Sequence, residues 1–352
     1  MLNEKDLYPI IAKELKKMKY CFPITDEFGL RFADYKRRVD VFGCKWDSTG
    51  NDIETIGIEV KYSPNKSINL EFSEGLSQCI DYLPFFKYVG LCYRTGKIEQ
   101  HLENICNVLT INRITIDLKN SVIKFPNKLI ECKFNNKDIL KHALLRSSMI
   151  LSFYETFSKV GFKDKDIKYG EFRNGEGWLA INFKNHLQIN THYNYENNYV
   201  SLGVNLERKS TFKNIIKNIT RNDILNLKKL FQDHSNMKIN FSIDRRTSAT
   251  KENKKELETI FKNYPDMQIH YSKTQREAKI WKGLKLLDIG DKKINALIEI
   301  IRKTLEKKQW KPHITIHVKL WNTINNKQWH INKINEEKNK LMKFVNFFEK
   351  LV

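Results

Sequence analysis

Three side chains near the start of the chain could carry out hydrolysis together: Asp40, Glu59 and Lys61. They lie in the stretch RRVDVFGCKWDSTGNDIETIGIEVKYS, which runs from Arg37 to Ser63. Two carboxylates held side by side repel, and a cation between them relieves that repulsion. Mg²⁺ suits such a place, because it takes oxygen ligands and keeps positions open for water and phosphate. An ammonium beside the metal would orient or help deprotonate an attacking water and offset charge on phosphoryl oxygens. The chemistry would be metal-assisted hydrolysis of a phosphate ester.

The elements that must position these groups are two strands and a turn. The first strand, roughly Ala33 to Trp46, sets Val39 and Val41 on one face and Arg38, Asp40 and Phe42 on the other. The turn Asp47-Ser48-Thr49-Gly50-Asn51-Asp52 is built from residues that tolerate tight turns. The second strand, about Ile53 to Tyr62, alternates Ile56, Ile58 and Val60 against Gly57, Glu59 and Lys61. Glu59 and Lys61 therefore share a face while Val60 points into the core. Paired through that turn, Asp40 comes alongside Glu59. The same three residues also fit a solvated β-hairpin without chemistry.

The pattern Asp40 … Glu59-Val60-Lys61 resembles the PD-(D/E)XK nuclease superfamily, over about the first ~130 residues, a usual domain size. The resemblance implies that Asp40 and Glu59 hold the catalytic metal, with the Val60 carbonyl as a further ligand, and that Lys61 serves the attacking water. Val39 stands where the motif has Pro. Two flanking features extend the likeness. Residues 3–18 read as a helix whose stripe Leu7, Ile11, Glu14, Met18 carries one carboxylate. Glu14 matches the acidic residue that some of these nucleases bring from their first helix to the metal, and it also fits the edge of a stripe, reaching water. The helix from Glu71 to Leu83 buries Leu76, Cys79, Ile80 and Leu83, with Gln78 and Tyr82 one turn apart beside them. This QxxxY is similar to that of the RecB-like branch, where Gln and Tyr position substrate and active-site groups.

The bulk properties divide the chain unevenly. It has 352 residues and a formal net charge of +21. Residues 1–140 hold 21 basic and 19 acidic side chains and residues 141–352 hold 41 and 22, so net charges of +2 and +19 make up the whole. A near-neutral region with acidic candidate ligands is thus joined to a strongly basic one, as expected of a catalytic module beside a polyanion-binding module. No apolar run approaches the ~20 residues of a membrane span. The N-terminus is charged and amphipathic without an apolar signal core, which points to the cytoplasm. All six cysteines lie at or before Cys132 and none forms a CxxC pair, so they read as buried reduced thiols.

The element order expected for residues 1–132 is helix, strand, strand, helix, strand, helix, strand, an α/β restriction-endonuclease-like core with a mixed sheet flanked by helices. The polar stretch Pro126–Asp138 marks the boundary. Residues 139–352 then read as a basic α+β domain, beginning with a helix at Ile139–Val160 and followed by a meander of short strands. Arg245, Arg246, Lys273, Arg276, Lys279 and Lys282 lie near strand ends or in a stretch, Ser272–Gly290, that reads as irregular. They are the candidate nucleic-acid contacts, with phosphate contacts giving affinity and base contacts any preference. His313 and His317 share a strand face but lack an identifiable third metal ligand. There is no Walker-type GxxxxGK[ST].

Together these features lead to the expectation of a Mg²⁺-dependent DNA endonuclease, with Mn²⁺ able to substitute. It would be of restriction or other defence type, acting on double-stranded DNA, away from membranes, as a homodimer where both strands are cut. Three other readings share the same residues: a repair or recombination nuclease acting on branched or single-stranded DNA, an effector nuclease that needs an activator, and a DNA-binding protein with an inert nuclease fold.

Overall fold

The turn at Asp47–Asp52 closes as its composition requires. The Asp47 amide donates to the Asp52 carbonyl at 2.9 Å, the Asp47 carboxylate accepts from the Asn51 amide at 3.0 Å, and Gly50 takes a φ of 72°. This turn belongs to a computed structural model that describes residues 3–24, 28–32, 35–171, 177–265 and 267–352. It joins β4 (Val41–Trp46) to β5 (Ile53–Lys61), antiparallel with Val41 opposite Ile58 and Trp46 opposite Ile53. β5 runs parallel to β6 (Tyr88–Arg94), and β6 parallel to β7 (Ile111–Asp117). β1 (Cys21–Ile24) and β8 (Val122–Lys124) complete a six-stranded mixed sheet in the order β1-β4-β5-β6-β7-β8. A separate hairpin pairs β2 (Phe28–Phe32) with β3 (Tyr35–Val39); residues 33 and 34 of the expected first strand lie outside the described residues.

That expected strand is in fact two. β3 pairs only with β2, whereas β4 pairs with β5 and β1, and the chain bends between them at Asp40. The alternation breaks there. Val39 packs with Phe42 and Cys44 in one core, and Val41 packs with Ile56, Ile58 and Val60 in the other. In β5 the expected alternation holds.

Helices cover both faces of this sheet. α1 (Tyr8–Lys17), preceded by a 3₁₀ turn at Glu4–Leu7, buries Leu7, Tyr8, Ile11 and Leu15 against Ile56, Ile58 and Val60. α2 (Ile68–Tyr82) and α3 (Gln100–Val108) cover the other face. The approach of α2 is close at Gly75, where a Cβ would stand 2.4 Å from Leu91 and 2.8 Å from the Lys61 stem.

The segment 126–136 is tied to the first sheet rather than slack. The Asn112 side chain bonds both the amide and the carbonyl of Ile130 at 2.7 and 2.9 Å, and the Cys132 amide donates to Lys87 at 2.8 Å. It leads into α4 (Lys137–Ser158), which is buried nearly all round because it packs on both sheets: on β1, β4 and β5 of the first, and on three strands of the second. One apolar cluster accordingly runs from α2 through α4 into the second half.

The second half is built on an eight-stranded, fully antiparallel sheet. Its strands are β9 (Ile167–Glu171), β10 (Gly177–Asn182), β11 (Gln188–Asn194), β12 (Tyr199–Leu206), β13 (Lys238–Asp244), β14 (His270–Tyr271), β15 (Glu277–Lys285) and β16 (Lys311–Trp321), in the order β14-β15-β13-β16-β12-β11-β10-β9. Five helices accompany it: α5 (Lys209–Asn218), α6 (Arg221–Asp233), α7 (Lys251–Phe261), α8 (Asp291–Glu306) and α9 (Lys327–Glu349). The stretch Ser272–Gly290, read from sequence as irregular, contains the nine-residue β15. Register shifts against β13 and a glycine at φ 66°, Gly283, obscure its alternation.

Candidate active site

The β4–β5 register brings the catalytic candidates to one place. The β4–β5 register ends at Val41 opposite Ile58, and just beyond it Asp40 lies within electrostatic reach of Glu59. Asp40 is half-buried at the chain bend, where its Oδ2 accepts the Val60 amide at 2.8 Å and its Oδ1 accepts the Tyr8 hydroxyl at 2.7 Å. The break in the strand thus frees a β5 amide that the Asp40 carboxylate satisfies. Val60 itself buries its side chain beneath α1.

Glu59 points to the opposite face of β5 and is only 2% exposed. Its Oε1 lies 2.6 Å from the Lys61 ammonium and its Oε2 accepts the Tyr82 hydroxyl at 2.6 Å. The Tyr82 hydroxyl oxygen also lies 2.8 Å from the Arg38 carbonyl, so the two acceptors share its one proton and fix the ring across the bend. Gln78, one turn earlier on α2, is exposed. It lines an open cleft of about 510 Å³ with Lys61, Ser73, Glu74 and Ser77. The QxxxY pair is therefore split, with Tyr82 touching the buried carboxylate and Gln78 facing the cleft.

Sequence reasoning missed two residues of this cluster. Glu4 stands 3.8 Å from the Lys61 ammonium and 3.5 Å from the Tyr8 hydroxyl, so the first helical segment contributes Glu4 and Tyr8. Glu14 does not join them. Its carboxylate pairs with Lys17 at 2.6 Å, and it sits six positions past Tyr8, about 240° around the axis from it. The buried face is Leu7, Tyr8, Ile11 and Leu15, whereas the sequence stripe had been drawn through Glu14 and Met18. Glu4 precedes the α-helix in a 3₁₀ turn, so a 3.6-residue stripe starting at Leu7 does not reach back to it.

The electrostatics follow from burial. Burial first, and then the neighbouring Asp40, push the Glu59 carboxyl up to about 7 despite the pull of Lys61 and Tyr82. Burial raises Glu4 as well; Lys61 draws it back and Asp40 adds to the rise. For Lys61 burial acts downward, but Glu59, Glu4 and Asp40 outweigh it and hold the ammonium above its ordinary value. Both partners of the Lys61–Glu59 pair are raised because they see different surroundings: Lys61 faces three carboxylates, while Glu59 faces one ammonium, burial and Asp40. The Tyr82 and Tyr8 hydroxyls are held protonated by burial and by the carboxylates they serve.

Three carboxylates around one ammonium leave surplus negative charge in a partly buried place. Among the described residues no three His, Cys, Asp or Glu side chains form a group able to hold a metal ion by themselves. Asp40 and Glu59, close enough for Asp40 to raise the Glu59 carboxyl, are nevertheless oxygen donors of the kind that a hard divalent cation such as Mg²⁺ or Mn²⁺ takes.

The basic candidates are dispersed. Arg245 is engaged with Asn253 and Gln309, and its guanidinium lies 5.0 Å from the Trp310 ring centroid. Arg246, Lys273 and Arg276 are exposed where β13 and β14 end and β15 begins. Lys279 and Lys282 lie on β15 beside a cleft of about 170 Å³ that His313 and Thr315 also line. Among the nearby tryptophans, Trp281, Trp310 and Trp321 are buried and Trp329 is exposed. His313 is held by Asp244 and Asn205, and burial lowers His317 to about 4; among the described residues neither ring belongs to a group of three potential metal ligands. All six cysteines are free thiols, five of them buried. No described helix is long and apolar enough to cross a membrane.

No family model, no curated protein and no solved structure matches this chain.

Proposed function

We propose that the chain is a divalent-metal-dependent DNA endonuclease of PD-(D/E)XK type, with a restriction-endonuclease-like core in its first sheet. The observation that carries this reading is the register Val41 opposite Ile58, which sets Asp40 beside Glu59 with the Lys61 ammonium 2.6 Å from the Glu59 carboxylate. Order and packing add support: a helix, an antiparallel β-ribbon, a crossing helix and a parallel strand surround the cluster, and α2 brings Tyr82 onto Glu59.

Asp40 and Glu59, with the Val60 carbonyl, would hold Mg²⁺, and the bound ion would supply Lewis-acid polarisation of the scissile phosphate. The protein's own groups do the rest. Asp40 is oriented by Tyr8 and the Val60 amide, and Glu59 by Tyr82. Lys61, held above its ordinary pKa, stays protonated at neutral pH. It would orient the nucleophilic water and offset phosphoryl charge. Gln78 and the exposed rim of α2 line the cleft through which the phosphate would enter. Double-strand cleavage would draw on two chains, since each supplies one such site. A restriction or other defence role, with DNA as the substrate, fits a chain that pairs this site with a basic second half and no Walker motif.

The test is incubation of the protein with supercoiled plasmid in Mg²⁺ or EDTA, with Asp40→Ala alongside. Metal-dependent nicking or linearisation lost in the variant supports the reading. Retained cleavage in Asp40→Ala overturns it. The close Lys61–Glu59 pair also suits an inert fold that only binds DNA, and retarded but uncut plasmid in every metal would favour that second reading.

A further inference from the structure

Among the described residues, α4, α5, α8 and α9 pack on the eight-stranded sheet, and the apolar side chains of one of its faces join the shared core. Along β16, Ile314, Ile316 and Val318 are buried while His313, Thr315 and His317 between them are half-buried; β11 alternates in the same way, and on β13 and β12 the corresponding Ser242 and Asn205 are 6% exposed. Register carries the second set across the sheet, so that Asn205 lies opposite Thr315 and Gln188, and Ser242 opposite His313. The other face is thus lined by side chains that hydrogen-bond, where an ordinary solvated sheet face would carry mixed charge.

Those side chains are joined. Gln188 donates to Asn182 at 2.8 Å and Asn205 donates to Gln188 at 3.3 Å. The His313 Nε2 lies 2.6 Å from the Asn205 Oδ1, and its Nδ1 lies 3.0 Å from Asp244, which also accepts the Ser242 hydroxyl at 3.0 Å. This relay crosses five adjacent strands, β10, β11, β12, β16 and β13, and fixes each amide and ring in one orientation before any ligand arrives. Lys168, Lys238, Lys279 and Lys319 occupy the same face. The carboxylates on it, among the described residues, are Asp244 and Glu277, already paired with His313 and Lys279.

We propose that this face seats duplex DNA, with the amide–imidazole relay turned toward base edges and the lysines toward phosphates. The proposal rests on reading the chain as a DNA enzyme and adds where the substrate lies. Fixed Asn and Gln amides are the groups that read base edges in a groove, and Lys supplies sequence-independent affinity. Seven inter-strand spacings make the sheet roughly 34 Å wide, about the rise of ten base pairs. Single strands are instead bound on aromatic platforms. Here the Trp178 indole lies against the Gly170 backbone, Trp281 is buried, and the Lys319 ammonium stands 5.1 Å from the Tyr199 ring centroid. The face offers hydrogen bonds rather than stacking.

The experiment uses the full chain carrying Asp40→Ala, in EDTA, so that cleavage cannot enter the result. A fluorescent mixed-sequence duplex of about 30 base pairs, roughly three times what the sheet can cover, is titrated by anisotropy at several salt concentrations. The expectation for Lys238→Ala/Lys319→Ala, both on exposed positions, is binding weakened roughly tenfold. The slope of log K against log salt should fall by about 0.9 for each lost phosphate contact. Arg246→Ala/Lys273→Ala, off this face, should change less. His313→Ala should keep the slope and lose enrichment of any sequence that the parent selects from a randomised duplex pool. Thermal unfolding of each variant is the folding control, and should His313→Ala unfold, the lysine pair still decides. Unchanged affinity and slope in the lysine variant overturn the proposal, as does preferential binding of the corresponding single strand. Binding as expected alongside a plasmid that is never cut would leave this proposal standing while the nuclease reading failed.

Discussion

The two sheets solve opposite electrostatic problems. The first is covered on both faces, its core strands carry nearly continuous apolar runs, and its polar chemistry is forced into the interior at one bend of the chain. There Glu59 is 2% exposed and raised to about 7, beside Asp40. The second sheet presents amides, hydroxyls and imidazoles on the face away from its apolar core, several of them hydrogen-bonded to one another, with lysines among them. Net charge follows the same division, +2 against +19. A region that concentrates negative charge is unstable unless a cation or proton joins it, whereas polar groups that hydrogen-bond one another need no such ion. The contrast is what a metal-dependent centre beside a recognition surface requires. α4 packs on both sheets, so the two halves sit on one continuous core.

The sharpest way to break the comparison is Lys61→Ala. If the first sheet carries the chemistry and the second the binding, this change should slow plasmid cleavage by about 10²–10³-fold, the usual cost of removing one group that stabilises developing charge. Duplex affinity measured in EDTA should stay within about twofold. Equal losses in cleavage and binding would mean that the two sheets do not divide the work as described.

Next in size is a pH effect confined to the first sheet. Glu59 is raised in the folded chain from 4.5 to about 7, so its contribution to stability is fully present below pH 4.5 and is lost as pH rises through 7. The loss amounts to at most about 3 kcal/mol, with the Lys61 pair already included in that value. Glu59→Gln removes this titration. Urea unfolding at pH 5 and pH 8 should therefore show a smaller decline in stability for the variant than for the parent. Mg²⁺ should raise the parent's unfolding temperature more at pH 8 than at pH 6, because the metal and the proton compete for the same carboxylate. Parallel pH curves for parent and variant would remove Glu59 from the charge-storing role.

The first sheet was the more legible in sequence, and the reasons are local. Alternation in Ile53–Lys61 and six turn-forming residues before it specify a hairpin, and two-residue spacing specifies that Glu59 and Lys61 share a face. The bend at Asp40 was not legible, because a single irregular residue leaves no periodic trace; Val39 and Val41, expected on one face, accordingly lie in different cores. In the second half the helix at Ile139–Val160 could be read, yet spacing alone does not say that it packs between two sheets, where it buries Arg146, Ser147, Ser148 and Ser152 along with its apolar residues. The relay was invisible for a deeper reason. Asn182, Gln188, Asn205, His313 and Asp244 are brought together only by strand order, in which β16 inserts between β12 and β13.

The smallest expected effect separates two carboxylates of the N-terminal helical segment, and it tests whether burial or stripe position decides which of them takes part. Glu4 stands 3.8 Å from the Lys61 ammonium with its pKa raised, first by burial. Glu14 pairs with Lys17 at the surface. Glu4→Gln keeps the shape, removes one of the three charges facing Lys61, and leaves Tyr8 to hold Asp40. A change of this kind beside the ligands should cost about tenfold in cleavage and shift the Mg²⁺ requirement upward. Glu14→Gln should change cleavage by less than twofold and stability by less than about 0.5 kcal/mol, as for a surface substitution. Titrating Mg²⁺ against cleavage rate in both variants decides the matter. If Glu14→Gln carries the larger loss, the helix presents a different face to the metal-bound state, and the charge surplus at Lys61 must be counted without Glu4.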